Sequence, residues 1–229
     1  MKIDELKKKA ALTAIKYIKE NSIVGIGTGS TVSYFIKALS TIKKKILGVI
    51  SSSISSSEKI KKYGLKILDL NKVFSPIIYV DGADEINEKM EMIKGGGAAL
   101  TKEKIIAASA SQFICIIDET KQVKTLGNFP LPIEIIPMSY SFIKNKIIKL
   151  GGIPKLRKNL ITDNGNIIID VYGLKILNPS ILEEKINSFP GVVTVGLFSK
   201  IKADIVIIGT QSGVEVLFNK KNKNLKLMT

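Results

Sequence analysis

Three short motifs hold the residues of this 229-residue sequence that could do chemistry, and the chain contains no histidine. Without histidine there is no Ser-His-Asp or Cys-His nucleophile system, no HExxH zinc site and no imidazole acid or base. Any proton transfer must fall to Asp, Glu, Lys or Tyr. The one cysteine, Cys115, excludes an internal disulfide and any multi-cysteine metal site. It lies in the apolar run Phe113 to Ile117 and reads as core.

The first motif is Gly25-Ile-Gly27-Thr28-Gly29-Ser30-Thr31, at an expected strand-to-helix junction. Glycines let backbone approach an anion, and free N–H groups at a helix start point towards it. Ser30 stands where a dinucleotide fingerprint has its third glycine, and no lysine follows as in a P-loop. The expectation is a single phosphate held by backbone N–H groups around Gly29 and by the hydroxyls of Thr28, Ser30 and Thr31. The bland alternative is a tight turn with a Ser/Thr cap.

The second motif, Asp81-Gly-Ala-Asp84-Glu85, follows a run of apolar residues. Ligands of parallel sheets bind outside the carboxyl ends of the strands, and Asp81 and Asp84 there could accept hydroxyl hydrogens. An acidic turn is the competing reading. The third is Lys94-Gly95-Gly96-Gly97 with Glu103 six residues beyond. Three successive glycines are costly in chain entropy, which suggests a close approach to the backbone. On the helix expected to follow, Ala99, Leu100, Ile106, Ala107 and Ala110 lie within about 60° of Glu103 at about 100° per residue. Glu103 thus emerges from an apolar stripe, where desolvation should raise its pKa towards the range of a general base. A salt bridge to a flanking lysine, Lys102 or Lys104, is the structural alternative. Together the motifs supply a phosphate anchor, two hydroxyl-binding carboxylates, a cation and a base.

The elements that must position these residues alternate. Residues 1–20 read as a helix, Ser22–Gly27 as a strand, and a helix follows with Val32, Phe35, Ile36 and Leu39 on one side. Ile46–Ser53, Leu65–Leu70, Pro76–Asp81 and Phe113–Asp118 read as further strands, and Ser55 with Glu58 has capping-box spacing. Strands alternating with helices predict a mainly parallel, Rossmann-like sheet flanked by helices. From Phe129 the pattern changes to strand (132–137), helix (closed by Gly151 and Gly152), strand, strand, helix and strand, with a hairpin turn at Asp163–Asn166. That order, β-α-β-β-α-β, is a small ferredoxin-like α+β unit. Ala203–Thr210 reads as a strand rejoining the first sheet. The expected domains are a catalytic α/β domain at 1–128 and 200–229 and a small domain at 129–199.

The formal net charge is +15, but Arg157 is the only arginine and there is no tryptophan. Nucleic-acid sites use arginine forks and stacking aromatics, so no nucleic-acid partner is expected. No apolar run reaches the roughly 18–20 residues that span a bilayer. The N-terminal Met1–Leu12, rich in acids and lysines, reads as the first helix of the fold, and a cytoplasmic location without membrane contact is expected.

At this point the motifs VGIGTGSTV, SSS with the Ser-Glu helix start, YVDGADEI, MIKGGGAALTKEKI, FPLPIEIIP, TDNGN and PGVVTVGLF resemble the type A ribose-5-phosphate isomerase family, in order from about Glu5 to about Gly213. The resemblance implies interconversion of ribose 5-phosphate and ribulose 5-phosphate without metal or cofactor. It implies Glu103 as base, Asp81, Asp84 and Lys94 as sugar contacts, and Thr28, Ser30, Thr31, Lys7 and Lys121 as phosphate contacts. Lys7 and Lys121 come from the resemblance alone. It also implies a homodimer or larger homo-oligomer. Two rivals carry less of the pattern. A sugar-phosphate-sensing regulator would need a DNA-binding module, for which the residues before the first strand are too few. A coenzyme A transferase could use a Glu nucleophile, but the motifs fit it less well.

Overall fold

The computed structural model describes residues 2–74 and 77–219. Pro76 of the expected Pro76–Asp81 strand and the lysine-rich tail around Lys220 to Lys226 lie outside the described residues. In chain order the first elements are α1 (Ile3–Ala14), β1 (Ile23–Ile26), α2 (Ser30–Leu39), β2 (Gly48–Ser51), α3 (Ile54–Lys62) and β3 (Ile77–Asp81). Next come β4 (Glu85–Ile86), β5 (Met92–Ile93), α4 (Leu100–Ser109), β6 (Gln112–Asp118) and β7 (Leu131–Ile135). The remainder is α5 (Tyr140–Lys149), β8 (Ile153–Leu156), β9 (Ile167–Tyr172), α6 (Pro179–Asn187), β10 (Val192–Val195), β11 (Leu197–Phe198), β12 (Ile205–Thr210) and β13 (Gly213–Phe218).

The chain packs as two compact units. Of the described residues, unit 1 comprises 2–74, 77–82, 105–120 and 203–219, and unit 2 comprises 83–104 and 121–202. The segment 129–199 lies inside unit 2, which reaches beyond it. One reason is that β4, β5 and β11 form a three-stranded sheet of order β11-β5-β4. Another is the buried Glu85 carboxylate, which accepts the N–H groups of Gly127 at 2.8 Å and Phe129 at 2.5 Å.

Unit 1 is built on a six-stranded sheet of order β13-β12-β6-β3-β1-β2. Every pair is parallel except the edge hairpin β12–β13. Both faces are covered, so β1, β3 and β12 are buried at every position. The spacing of Leu6, Ala10, Ala11 and Ala14 puts one apolar stripe of α1 into this core. The expected stripe of α2 (Val32, Phe35, Ile36 and Leu39) is buried there too. The chain leaves β1 for β2 on one side and returns to β3 on the other. Loops after β1 and β3 therefore diverge, which is where such sheets bind ligands.

Unit 2 holds the predicted β-α-β-β-α-β order as β7-α5-β8-β9-α6-β10. Its antiparallel sheet runs β10-β7-β9-β8, the ferredoxin-like arrangement. Ile133, Ile135, Ile143, Ile147, Ile169 and Ile186 fill its core.

Four local expectations change. Leu65–Leu70 is not a strand: Ile67 alone bridges Val49, and the chain turns into a short 3₁₀ segment at Leu70–Lys72, capped by Asp69. The cap of α3 is Ser53, whose Oγ accepts the N–H of Ser56, so the Ser55 and Glu58 spacing falls inside the helix. The β8–β9 hairpin turns through residues 157–166, a longer connection than the expected turn at Asp163–Asn166, because β8 ends at Leu156, which pairs with Ile169. VVTVGLF divides between two sheets, β10 pairing with β7 and β11 with β5.

Candidate active site

In unit 1 the glycine turn links β1 to α2. Gly29 stands just before the helix with φ +128°, and Ser30 and Thr31 begin it, Ser30 exposed and Thr31 buried. Thr28 is fixed from several sides. Its N–H donates to Asp81 Oδ1 at 3.0 Å, and its hydroxyl lies 2.8 Å from Ser52 Oγ and 2.9 Å from Ser53 Oγ. Ser56 Oγ donates to the Gly27 carbonyl at 2.7 Å. The serine-rich run after β2 therefore folds round the glycine turn, a scaffolding role that the cap reading of that run did not contain.

Asp81 ends β3 and is wholly buried. Besides Thr28, it accepts the Gly82 N–H at 2.7 Å and the Tyr79 hydroxyl at 2.5 Å. A Cβ at Gly27 would lie 1.8 Å from Asp81 Oδ1, so only glycine allows β1 to pass this carboxylate. Tyr79 carries no motif signal of its own, since an aromatic in an apolar strand reads as core. Lys7, on α1, is half-buried and 3.9 Å from Asp4.

In unit 2 Asp84 is half-buried, and its Oδ2 accepts the N–H of Gly96 at 2.8 Å. A Cβ at Gly96 would meet Asp84 Oδ1 at 2.6 Å. Part of the Gly95–Gly97 demand is thus internal: the carboxylate of Asp84 is what approaches Gly96. Gly95 has φ +111°, and its carbonyl accepts the Ala98 N–H at 2.9 Å, making a turn that leads into α4. Arg157 braces this turn. Its Nη1 donates to the carbonyls of Gly95 and Gly96, both at 3.1 Å. The rest of the fork grips Asp170 through Nε at 2.8 Å and Nη2 at 2.5 Å. As the one arginine of the chain it is conspicuous in the sequence, but nothing there connects it with the glycines.

Glu103 projects from the first turn of α4 and is 3% exposed, as its apolar stripe predicted. Ala99, Leu100, Ile106 and Ala107 are likewise buried, while Ala110 falls past the helix end and is half-buried. The salt-bridge partner is neither flanking lysine. Lys94 Nζ lies 3.2 Å from Glu103 Oε2, both side chains buried. The neighbours are drawn elsewhere, Lys102 towards Asp163 at 3.8 Å and Lys104 to Glu183 at 2.9 Å. Lys94 Nζ also lies 5.4 Å from the ring centre of Phe198, a cation–π contact. Burial disfavours both charges of the pair, and each charge offsets that cost for the other. Lys121, at the end of the 3₁₀ segment Glu119–Lys121, is half-buried.

These units define an α/β protein with a Ser/Thr-lined glycine turn at the carboxyl ends of a parallel sheet and, within its second unit, a buried carboxylate–ammonium pair. The family model for ribose 5-phosphate isomerase A (phosphoriboisomerase A) matches residues 48–213. The ribose-5-phosphate isomerase A of Buchnera aphidicola subsp. Baizongia pistaciae is 62% identical over 95% of this chain and 100% of its own length. A crystal structure of ribose 5 phosphate isomerase A from Neisseria gonorrhoeae superposes with a TM-score of 0.93 at 44% identity, covering 95% of this chain and 98% of that one. A D-ribose-5-phosphate isomerase solved in complex with phospho-erythronic acid gives 0.91 at 39% identity, covering 95% and 100%. The chain belongs to the ribose 5-phosphate isomerase A family.

Proposed function

We propose that the protein interconverts D-ribose 5-phosphate and D-ribulose 5-phosphate in the non-oxidative pentose phosphate pathway, by moving a proton between C1 and C2 through a cis-enediolate. The observation that carries this reading is the buried Lys94–Glu103 pair. Glu103 removes the C2 proton of the open-chain aldose and returns it to C1. Lys94 and nearby backbone N–H groups stabilise the developing oxyanion, for which one well-placed donor contributes about 3–4 kcal/mol. Asp81 and Asp84 orient the sugar hydroxyls. Thr28, Gly29, Ser30 and Thr31, with Lys7 and Lys121, hold the phosphate, whose dianion suits free N–H groups at a helix start. The phospho-erythronic acid bound by the 39% identical relative is an anionic sugar-phosphate analogue, which supports a substrate of this class. No cofactor enters these steps.

We further propose a homodimer or larger homo-oligomer working in the cytoplasm. Support for self-association comes from large apolar side chains on the surface of unit 2, among them Met138, Ile153, Leu177 and Ile181. Among the described residues no helix is long and apolar enough to cross a membrane. Sedimentation analysis showing only monomers at working concentration would remove the oligomer.

The deciding experiment is a coupled assay for ribulose 5-phosphate formed from ribose 5-phosphate, run after exhaustive chelation and repeated in deuterium oxide. Turnover should survive chelation, with solvent deuterium incorporated at the transferred position. Absence of turnover defeats the isomerase reading. Turnover that requires added metal, with no solvent exchange, defeats the proton-transfer mechanism and favours a hydride shift.

A further inference from the structure

Glu134 of β7 and the Thr162–Asn166 turn take no part in the chemistry above, yet they form one buried polar centre in unit 2. Glu134 is wholly buried. Its Oε1 accepts the Thr162 hydroxyl at 2.8 Å, Asn164 Nδ2 at 3.0 Å and Asn166 Nδ2 at 2.9 Å. The turn is itself folded round Thr162, whose Oγ1 accepts the N–H of Asn166 at 3.1 Å and whose carbonyl accepts the N–H of Gly165 at 2.9 Å. The other oxygen, Oε2, accepts the hydroxyl of Thr101 at 2.5 Å. Thr101 lies in the first turn of α4, two residues before Glu103.

A carboxylate buried without a cation among these four donors is costly, so its hydrogen bonds must be well made to hold it. What that cost secures is the first turn of α4. Lys102 faces Asp163 of the same turn motif, and Lys104 is held by Glu183 and by the carbonyls of Val195 and Leu197. Residues 101, 102 and 104 are therefore each tethered, and residue 103 between them carries the carboxylate beside Lys94. Thr101 is linked to the 162–166 turn through Glu134, whose other oxygen accepts from Thr162, Asn164 and Asn166.

We propose that Glu134, braced by the Thr162–Asn166 turn, is a positioning residue for Glu103, acting through the Thr101 hydroxyl. This rests on Glu103 being the base. Reaction geometry is sensitive to displacements of about 1 Å, so loosening the helix start should appear in turnover and not in substrate affinity.

The test uses Thr101→Val, which keeps the side-chain shape and removes the hydroxyl, since Glu134→Ala removes the acceptor of four donors at once and threatens folding. Thr101→Val should lower kcat about tenfold with KM for ribose 5-phosphate changed less than about twofold. Thr101→Ser should restore kcat to within about twofold of the parent, because it returns the hydroxyl. Unchanged kcat in Thr101→Val overturns the positioning role. So does a lowered Tm with normal kcat per folded molecule, an effect on KM alone, or a Thr101→Ser variant as poor as Thr101→Val. Glu103→Gln is measured alongside. If it is inactive and Thr101→Val is not impaired, only the positioning role fails; if Glu103→Gln turns over normally, the base assignment fails and takes this role with it.

Discussion

Lys94 Nζ stands 3.2 Å from Glu103 Oε2 with both side chains almost wholly buried. In the proposed reaction one group of this pair takes a proton from carbon while the other meets negative charge on an adjacent oxygen. Replacing Glu103 by Gln keeps the shape and removes the base. Glu103→Gln should lower kcat about 10³-fold and leave KM nearly unchanged, the pattern of a group that acts in the transition state. Steady-state kinetics with ribose 5-phosphate check it, and near-normal turnover rejects Glu103 as base.

The same pair predicts a stability signature separable from catalysis. Lys94→Met leaves a buried carboxylate without this ammonium, a loss of about 3–5 kcal/mol. Adding Glu103→Gln removes the stranded charge, so the double variant should regain most of that stability and still be inactive. Urea denaturation of the two single variants and the double variant gives the coupling energy directly. Additive losses would mean that the two charges do not support one another.

Much of this arrangement is legible in residue types and spacing. The apolar neighbours of Glu103 at helical period place it on a buried face, and alternating apolar runs give the parallel sheet and the order of the small antiparallel unit. The partners are not legible, because they come from residues far apart in sequence. Glu103 is adjacent to Lys102 and Lys104, but those lysines are drawn to Asp163 and Glu183, which lie far along the chain. The glycines show that something approaches without showing what: Asp81 at Gly27 and Asp84 at Gly96 are side chains of the protein itself. Leu65–Leu70 has strand composition, yet only Ile67 finds a partner in β2. Arg157 and Glu134 carry no local signal, since their meaning lies wholly in the turns they hold.

Arg157 offers a test of that kind of remote support. Its planar fork binds Asp170 on one side and the carbonyls of Gly95 and Gly96 on the other. An ammonium cannot span these groups together, so Arg157→Lys is not conservative here. The variant should lose about 1.5–3 kcal/mol of stability, the range for hydrogen bonds to a charged group. Its kcat/KM should fall about tenfold, because the turn that follows Lys94 loses its brace. Denaturation and kinetics on the same preparation check both. A normal kcat/KM in a destabilised variant would assign Arg157 to folding alone.

Glu183 makes the last prediction, through pH. Burial alone would raise its pKa, but the Lys104 ammonium, with the hydroxyl and N–H of Ser199, outweighs burial and holds it below the ordinary 4.5. In the unfolded chain the carboxyl titrates near that ordinary value. Above about pH 4.5 both states are ionised and the full stabilisation is present; below it the unfolded chain takes up a proton that the folded chain refuses, and the stabilisation drains away as pH falls towards the folded pKa. Glu183→Gln should therefore be less stable than the parent at pH 7, with the gap narrowing below about pH 4.5. Lys104 adds the opposite end of the curve. Its burial, only partly offset by Glu183, lowers its pKa from 10.5, so the unfolded chain keeps that proton to higher pH and stability grows as pH rises towards that value. Removing Glu183 deepens the depression, and the alkaline rise should be steeper in the variant. Denaturation midpoints measured from acid to alkaline pH decide the matter: a gap that stays constant or widens in acid shows that the pair does not couple Glu183 to folding.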